Sequence, residues 1–468
     1  MNAMTSGGSA SMSGANASRR ALVLGASMAG LWTARVLADH FDEVLVLERD
    51  RLPEGATPRA GVPQARQYHV LLLRGLQLLR AYFPGLEEEL IAAGAVPFDI
   101  TGDVKLRSRG RWLRQFASGQ QLLSCSRLLL EAHLRRRLRQ DARIRFVEGV
   151  EVTGLIAGNS GTAITGVRYH TRAGAPGGDG SDGGGGGTNE LGGDLIVDAL
   201  GRRSPTPAWL QDLGYAPPEE TVVDSFLGYV TRRYRRPANF SGDWRMLLIS
   251  ATAPHDPRGG LIFPEENDVW VVMMAGANKD YPPTDEAGFD AFARSLGPEY
   301  YAAVQAAEPI GAPIGYRGTD SRWRHYEKLE RWPERYVVLG DAFCGFNPIY
   351  GQGMTVAALS AVALGEEIAR AGGQLDGVAA RAERAFGKAT EGAWLLATGA
   401  DLEWPETVGG ESSNSLADRF GRWYIDKLLD AVGRDEQVRL AFNEVNQLVK
   451  PATSLFAPSI MARVLLRR

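Results

Sequence analysis

Two carboxylates in this chain stand where a short apolar run meets glycine, and acids so placed handle nucleotides. The first is Glu48. It closes the apolar run Val44–Leu47 and lies 23 residues after the first glycine of Gly25-Ala26-Ser27-Met28-Ala29-Gly30, itself preceded by Ala21–Leu24. Gly25 permits a tight turn, Ser27 is small enough for the backbone to approach a pyrophosphate, and Gly30 lets a helix pack close to a strand. A helix starting there presents free N–H groups and a partial positive charge to phosphates. Glu48 can accept hydrogen bonds from both hydroxyls of a ribose and would repel a 2′-phosphate, so NADP is disfavoured at this turn. The turn does not separate FAD from NAD. Arg49, next along, points to the opposite face by strand alternation.

The second carboxylate is Asp341. Val337-Val338-Leu339 runs into Gly340-Asp341-Ala342, and the chain continues through Asn347-Pro348-Ile349-Tyr350-Gly351-Gln352-Gly353-Met354. A buried strand here delivers one acid at its carboxyl end, where ligands bind in open α/β sheets. The Pro- and Gly-rich loop then exposes N–H groups at a helix start.

The elements that must position these residues can be read from apolar spacing. Leu31, Ala34, Leu37 and Ala38 form a helical stripe after the first turn, giving strand, helix, strand with parallel strands. Residues 67–93 read as helical with a break at Pro84-Gly85. Asp103–Phe116 reads as a hairpin or meander, and Leu122–Cys125 and Ile144–Val147 as short strands. Ser126 is placed to cap a helix over Arg127–Arg139. Asp194–Gly201 is another buried strand ending in a glycine turn. Strand signals at Phe226–Val230, Met246–Ser250, Leu261–Phe263 and Val269–Met274 predict an antiparallel sheet with one helix near Glu286–Leu296. A helix follows from about Gly353 to Arg370, and the remainder is mostly helical. The expected organisation is a disordered 1–18, a discontinuous nucleotide domain (19–218 and 317–375), a sheet domain (219–316) and a helical region (376–468). Residues 174–193, rich in glycine, are expected to be a long mobile hairpin loop.

Composition narrows the function classes. A net charge of −3 over 468 residues gives no reason to expect nucleic acid as a partner. Two cysteines, Cys125 and Cys344, exclude a disulfide framework and suit a reducing cytoplasm. The six histidines show no HxxxH or HExxH spacing, so no metal is expected. No stretch reaches the roughly 18 apolar residues of a membrane span, so an integral membrane protein is not expected.

Taken together, Gly340-Asp341-Ala342, Pro348 and Gly351-Gln352-Gly353-Met354 resemble the second FAD fingerprint of the flavin monooxygenases related to p-hydroxybenzoate hydroxylase. The resemblance implies an α/β fold. Its parts are a Rossmann-like FAD-binding domain of the glutathione-reductase type, an inserted α+β substrate part built on an antiparallel sheet, and a helical C-terminus. It implies that Asp341 binds the ribityl chain, that Pro348, Gly351, Gly353 and Met354 lie along the isoalloxazine, and that Arg127 contacts the flavin. Patches at Gly61–His69, Asp198–Ser204 and Gly340–Met354 also resemble a bacterial branch that includes the polyene epoxidases of polyether biosynthesis. These patches add Gln64, Arg66 and Gly201 to the cofactor set of Gly25, Ala26, Ser27, Met28, Ala29, Gly30, Glu48 and Arg49. His69 is a candidate polar group beside the flavin.

The pattern also departs from the family. Leu200-Gly201 stands where an Asp-Gly pair is usual, and no second Gly-rich βαβ unit exists for NAD(P)H. The electron donor, NADPH or NADH, therefore acts directly or through a separate flavin reductase. Phe343 and Cys344 replace a common histidine, and Cys344 reads as a small packing residue. The resemblance implies a C4a-hydroperoxyflavin that transfers one oxygen atom from O2 to a lipophilic small molecule of secondary metabolism, by epoxidation of an alkene or hydroxylation of an aromatic ring. Phe226, Trp244, Met246, Phe263 and Met273 are the candidate pocket residues, with ordinary sheet packing as the alternative for most. A halogenase of this fold would carry a WxWxIP segment, which is absent. A reductase of isoprenoid double bonds is a further reading, since Phe263-Pro264 resembles one. A plain NAD-dependent dehydrogenase and a non-catalytic FAD-binding protein are the others. A monomer or homodimer is expected.

Overall fold

The computed structural model describes residues 18–172, 188–410 and 416–466. At its centre is a five-stranded sheet in the order Tyr336–Val338, Leu195–Asp198, Arg20–Leu24, Glu43–Glu48, Ile144–Glu148, with every pairing parallel. The strands are near-continuous apolar runs because both faces are covered. The middle strand, Arg20–Leu24, has the next strand of the chain on one side and Leu195–Asp198 on the other. Its carboxyl end is therefore a topological switch point, the place where such sheets open a crevice for ligands. Two helices begin along this edge, Met28–Leu37 and Gly353–Arg370.

A seven-stranded sheet runs Glu308–Tyr316, Gly228–Arg235, Val269–Gly276, Arg258–Glu265, Met246–Ile249, Val104–Ser108, Arg111–Trp112. Side chains alternate along each strand. One face carries Tyr229, Met246, Leu261, Phe263 and Met273 and packs with Tyr68, Leu73 and Ile349. The other carries Val230, Tyr234, Ile262, Trp270 and Met274 and is covered by the helices Glu286–Ser295 and Pro298–Gln305.

The structure corrects several expectations. The large sheet is not wholly antiparallel, because Val104–Ser108 pairs in parallel with Met246–Ile249. Glu220–Asp224 lies in a different sheet, between Ser321–Arg324 and Val408–Gly409. Residues 67–72 are not helical, and the helices there are Leu73–Tyr82 and Leu86–Ala92. The helix Pro298–Gln305 had no expectation. Within the glycine-rich stretch, Asn189–Gly192 is a strand paired with Ile164–Thr171; residues 173–187, like 1–17, lie outside the described residues.

The C-terminal helices Leu416–Val432, Glu436–Asn446 and Pro458–Leu466 share a core with Leu113, built on Tyr424, Leu428 and Val438. Arg109 fastens them to the 104–112 hairpin through Asp426 and Asp430. No helix among the described residues is long and apolar enough to cross a membrane.

Candidate functional site

Glu48 and the Gly25 turn meet as their spacing demands. The Gly25 N–H donates to the Leu47 carbonyl at 2.8 Å, and the Ala26 N–H donates to Glu48 Oε2 at 2.8 Å. A Cβ on Gly30 would fall 1.8 Å from the Gly25 carbonyl oxygen, and one on Gly25, whose φ is +102°, 2.7 Å from the Ala199 oxygen. Only glycine fits at either place.

Sequence reasoning missed Arg59. Its Nη1 lies 3.1 Å from Glu48 Oε2 and 3.0 Å from Asp50 Oδ2, and its Nη2 donates to the Ala26 carbonyl at 3.0 Å. The three side chains are buried together. A basic residue in an irregular stretch has no periodic signal, and only its distance from Glu48 could have pointed to it. Arg49 is exposed and lies against Gly61, Gln64 is half-buried, and Arg66 is exposed, with its carbonyl accepting from Arg233.

Ser27 is the N-cap residue of Met28–Leu37 but does not cap it. Its hydroxyl instead accepts from Arg127 Nη2 at 2.7 Å, so the first-turn N–H groups are left for a ligand. Arg127 is buried, pairs with Glu131 at 2.8 Å, and contacts His69 Nε2 through Nη1 at 3.1 Å. Burial and the Arg127 charge, with a smaller push from Arg233, bring the His69 pKa down to about 3. The ring is therefore neutral near pH 7. Nε2 must accept from the guanidinium, so Nδ1 carries the proton and donates to the Gln67 carbonyl at 3.0 Å. The helix behind Arg127 starts where expected, with Ser126 Oγ accepting the Leu129 N–H at 3.1 Å.

On the other side of the switch point, the Leu339 N–H donates to the Asp198 carbonyl, and Gly340 turns the chain at φ +64°. A Cβ on Gly340 would lie 2.7 Å from Ala29 Cβ, so the two glycine motifs touch. Asp341 is half-buried and has no hydrogen-bond or ion-pair partner among the described residues. It faces the start of the Gly353–Arg370 helix, since a Cβ on Gly353 would lie 3.6 Å from Asp341 Oδ1. Gly351, at φ +67°, presses on Val70, and Met354 is buried beside them. Pro348 is half-buried in the same loop.

At the position of the missing middle carboxylate, Gly201 has φ +79° with open space where a Cβ would stand. Asp198, three residues earlier, does not substitute. It is fully buried and accepts from the Leu200 N–H, Ser204 and Thr206, while burial holds its pKa up. Arg202 ties Asp320 to the Phe346 carbonyl. Cys344 is a core residue whose thiol pKa is pushed up by burial, the state of an inert packing group.

The family model described as FAD binding domain matches residues 19–380. The chain belongs to this FAD-binding family. Protein Rv3254 of Mycobacterium tuberculosis (strain ATCC 25618 / H37Rv) is 33% identical over 438 residues, covering 90% of this chain and 87% of its own. Among solved structures, the flavin-dependent brominase Bmp2 shares the fold at a TM-score of 0.63 and 16% identity, over 95% of this chain and 98% of its own. PqsL of Pseudomonas aeruginosa, described as a probable FAD-dependent monooxygenase, does so at 0.57 and 18%, over 82% and 94%.

The residues of the FAD-binding edge fit that cofactor. The uncapped helix start at Ser27 suits a pyrophosphate. Glu48 spends three of about four acceptor positions on Ala26, Asp50 and Arg59, leaving room for a ribose hydroxyl. Asp341 is an acceptor with no protein donor, as a ribityl chain requires. The pocket candidates divide. Met246, Phe263 and Met273 lie in one apolar cluster with Tyr68, Tyr229 and Ile349, between the sheet and the Pro348–Gly351 loop. Phe226 and Trp244 lie apart from this cluster. Phe226 sits in a turn at φ +48° beneath Lys279. Trp244 precedes its strand, so alternation does not govern it, and it stacks on Trp270 at 5.3 Å on the helix-covered side.

Proposed function

We propose that the protein is an FAD-dependent monooxygenase that places one atom of O2 on a lipophilic small molecule, by epoxidation of an alkene. The observation carrying this reading is the buried apolar cluster of Met246, Phe263, Met273, Tyr229 and Ile349, which adjoins the Pro348–Gly351 loop. Reduced flavin supplies the reactivity toward O2. The chain's own residues bind the cofactor's two ends, orient the ring, and keep water from the apolar side. Hydroxylation of a phenolic ring would benefit from a base beside the substrate. His69 does not supply one, because its Nε2 lone pair is taken by Arg127. That favours an alkene over a phenol and keeps the likeness to the polyene epoxidases.

Electrons come from NADPH or NADH, directly or through a partner flavin reductase, and the protein works as a monomer or homodimer in the cytoplasm. The test is a visible spectrum of the purified protein. Photoreduced holoprotein is then mixed with isotopically labelled O2 and a panel of lipophilic alkenes. Labelled oxygen in an epoxide is the expected result. A colourless protein that takes up no FAD overturns the reading, and so does anaerobic saturation of the double bond, which would mark a reductase.

A further inference from the structure

The helix Val378–Asp401 lies outside both glycine motifs, yet its last residue reaches the loop between them and the sheet. Asp401 is fully buried. Its Oδ1 accepts from Tyr350 Oη at 2.8 Å, Ser225 Oγ at 2.9 Å and Asn347 Nδ2 at 3.1 Å, and Asn347 Nδ2 is 3.2 Å from Oδ2. A buried carboxylate is tolerated when donors surround it, and here all of them come from elements that frame the site.

Two of the donors, Asn347 and Tyr350, bracket Pro348 and Ile349. Asn347 also closes the turn between them, its Oδ1 accepting the Ile349 N–H at 3.3 Å. Ile349 reaches into the apolar cluster of Phe263 and Met273, and Gly351 leans on Val70. The third donor, Ser225, lies where the chain leaves Glu220–Asp224 for the large sheet. One carboxylate thus ties down both ends of the loop and the start of the sheet that faces it.

We propose that Asp401 is a positioning residue, which sets the Pro348–Gly351 loop against the ring of bound FAD from a helix that supplies no other part of the site. This rests on the reading that the flavin ring lies between that loop and the sheet. Asp401 makes no hydrogen bond to Gly25–Gly30 or Glu48, which hold the adenosine end on this reading. Loosening the loop should therefore change the ring's surroundings while the cofactor stays bound.

The test uses FAD-loaded protein and two variants. Asp401→Asn keeps the shape and removes the charge, and Tyr350→Phe removes one hydrogen bond and so remains informative where the first folds poorly. FAD affinity should change by less than about tenfold. The visible circular dichroism and fluorescence of the bound flavin should change in both variants. In Asp401→Asn the midpoint potential should rise, because a buried negative charge opposing the reduced ring is gone. Variants that hold FAD with the parent's visible dichroism, fluorescence and potential overturn the proposal. A loss of affinity well beyond tenfold overturns it also, since Asp401 would then support binding as a whole. A parent protein that takes up no FAD is a different failure, of the functional reading on which this one depends.

Discussion

Gly340→Ala tests whether the two glycine motifs form one site by touching. Gly340 has φ +64°, where an alanine costs about 1 kcal/mol or more. Its new Cβ would lie 2.7 Å from Ala29 Cβ, whereas carbons in contact sit about 3.5–4.0 Å apart. The Gly340 turn and the start of the Met28–Leu37 helix must then separate by about 1 Å, and overpacking of this kind costs about 1–3 kcal/mol. The expected destabilisation is about 2–4 kcal/mol, a fall in Tm of about 2–4 °C for a chain of this length. The displaced helix start is the one proposed to meet the pyrophosphate, so FAD affinity should fall about tenfold for each 1.4 kcal/mol by which the FAD-bound form is destabilised more than the free protein. Ala29→Gly removes the other half of the clash and leaves the backbone strain. A double-mutant cycle read by thermal unfolding and FAD titration should give a favourable coupling of about 1–3 kcal/mol. A coupling under about 0.5 kcal/mol, or unchanged FAD affinity in Gly340→Ala, would refute the contact.

Three further outcomes follow from the same geometry. Arg59→Ala leaves Glu48 and Asp50 buried side by side without their cation, a loss of about 3–5 kcal/mol in denaturant unfolding together with FAD uptake; Arg59→Lys should recover only part of it, and a loss under about 1 kcal/mol would mean the pair is solvated. His69, with its pKa near 3 against an ordinary 6.5, should show no titration in labelled-histidine NMR between about pH 5 and 8. Its contribution to stability is present above pH 6.5 and is lost as pH falls toward 3, so a midpoint near 6.5 would contradict the Arg127 contact. Burial opposes the charge on Asp99, but hydrogen bonds from Ser118, Gly102, Thr101 and Gly119 outweigh it and lower the pKa to about 2 from 3.8. Up to about 2 kcal/mol of stability is then present above pH 4 and lost between about pH 4 and 2; Asp99→Asn should abolish that dependence in acid unfolding curves.

What was legible in the sequence is what local chemistry dictates. The Gly25–Gly30 turn, Glu48 and the Ser126 cap each depend on neighbours within one strand–helix unit, and type and spacing are enough. Asp341 was legible because a buried strand ends on it. Arg59 and Asp401 were not, since each acts on partners that only the fold brings close. Nothing in the periodicity of Val378–Asp401 separates its last acid from an ordinary helix end. Trp244 stands out in the sequence for its aromatic side chain alone, and composition does not tell which face of the sheet a residue joins; it precedes Met246–Ile249 and stacks on Trp270. The parallel pairing of Val104–Ser108 was equally hidden, because a hairpin does not announce which sheet it will join.

This difference in range has a mechanical consequence. The proposed adenosine end of the site is built within Gly25–Gly61, where short contacts close at little entropic cost. The ring end, as proposed above, draws on residues 67–73, the sheet from Gly228 to Tyr316, the 340–354 segment and Asp401. A substitution in the sheet or the C-terminal helices can therefore reach the ring while the cofactor's anchor is untouched. On the proposed placement of the flavin, variation there retunes the residues that face the ring without first losing FAD, whereas a change at Gly30 or Arg59 is expected to weaken FAD binding before any question of substrate arises.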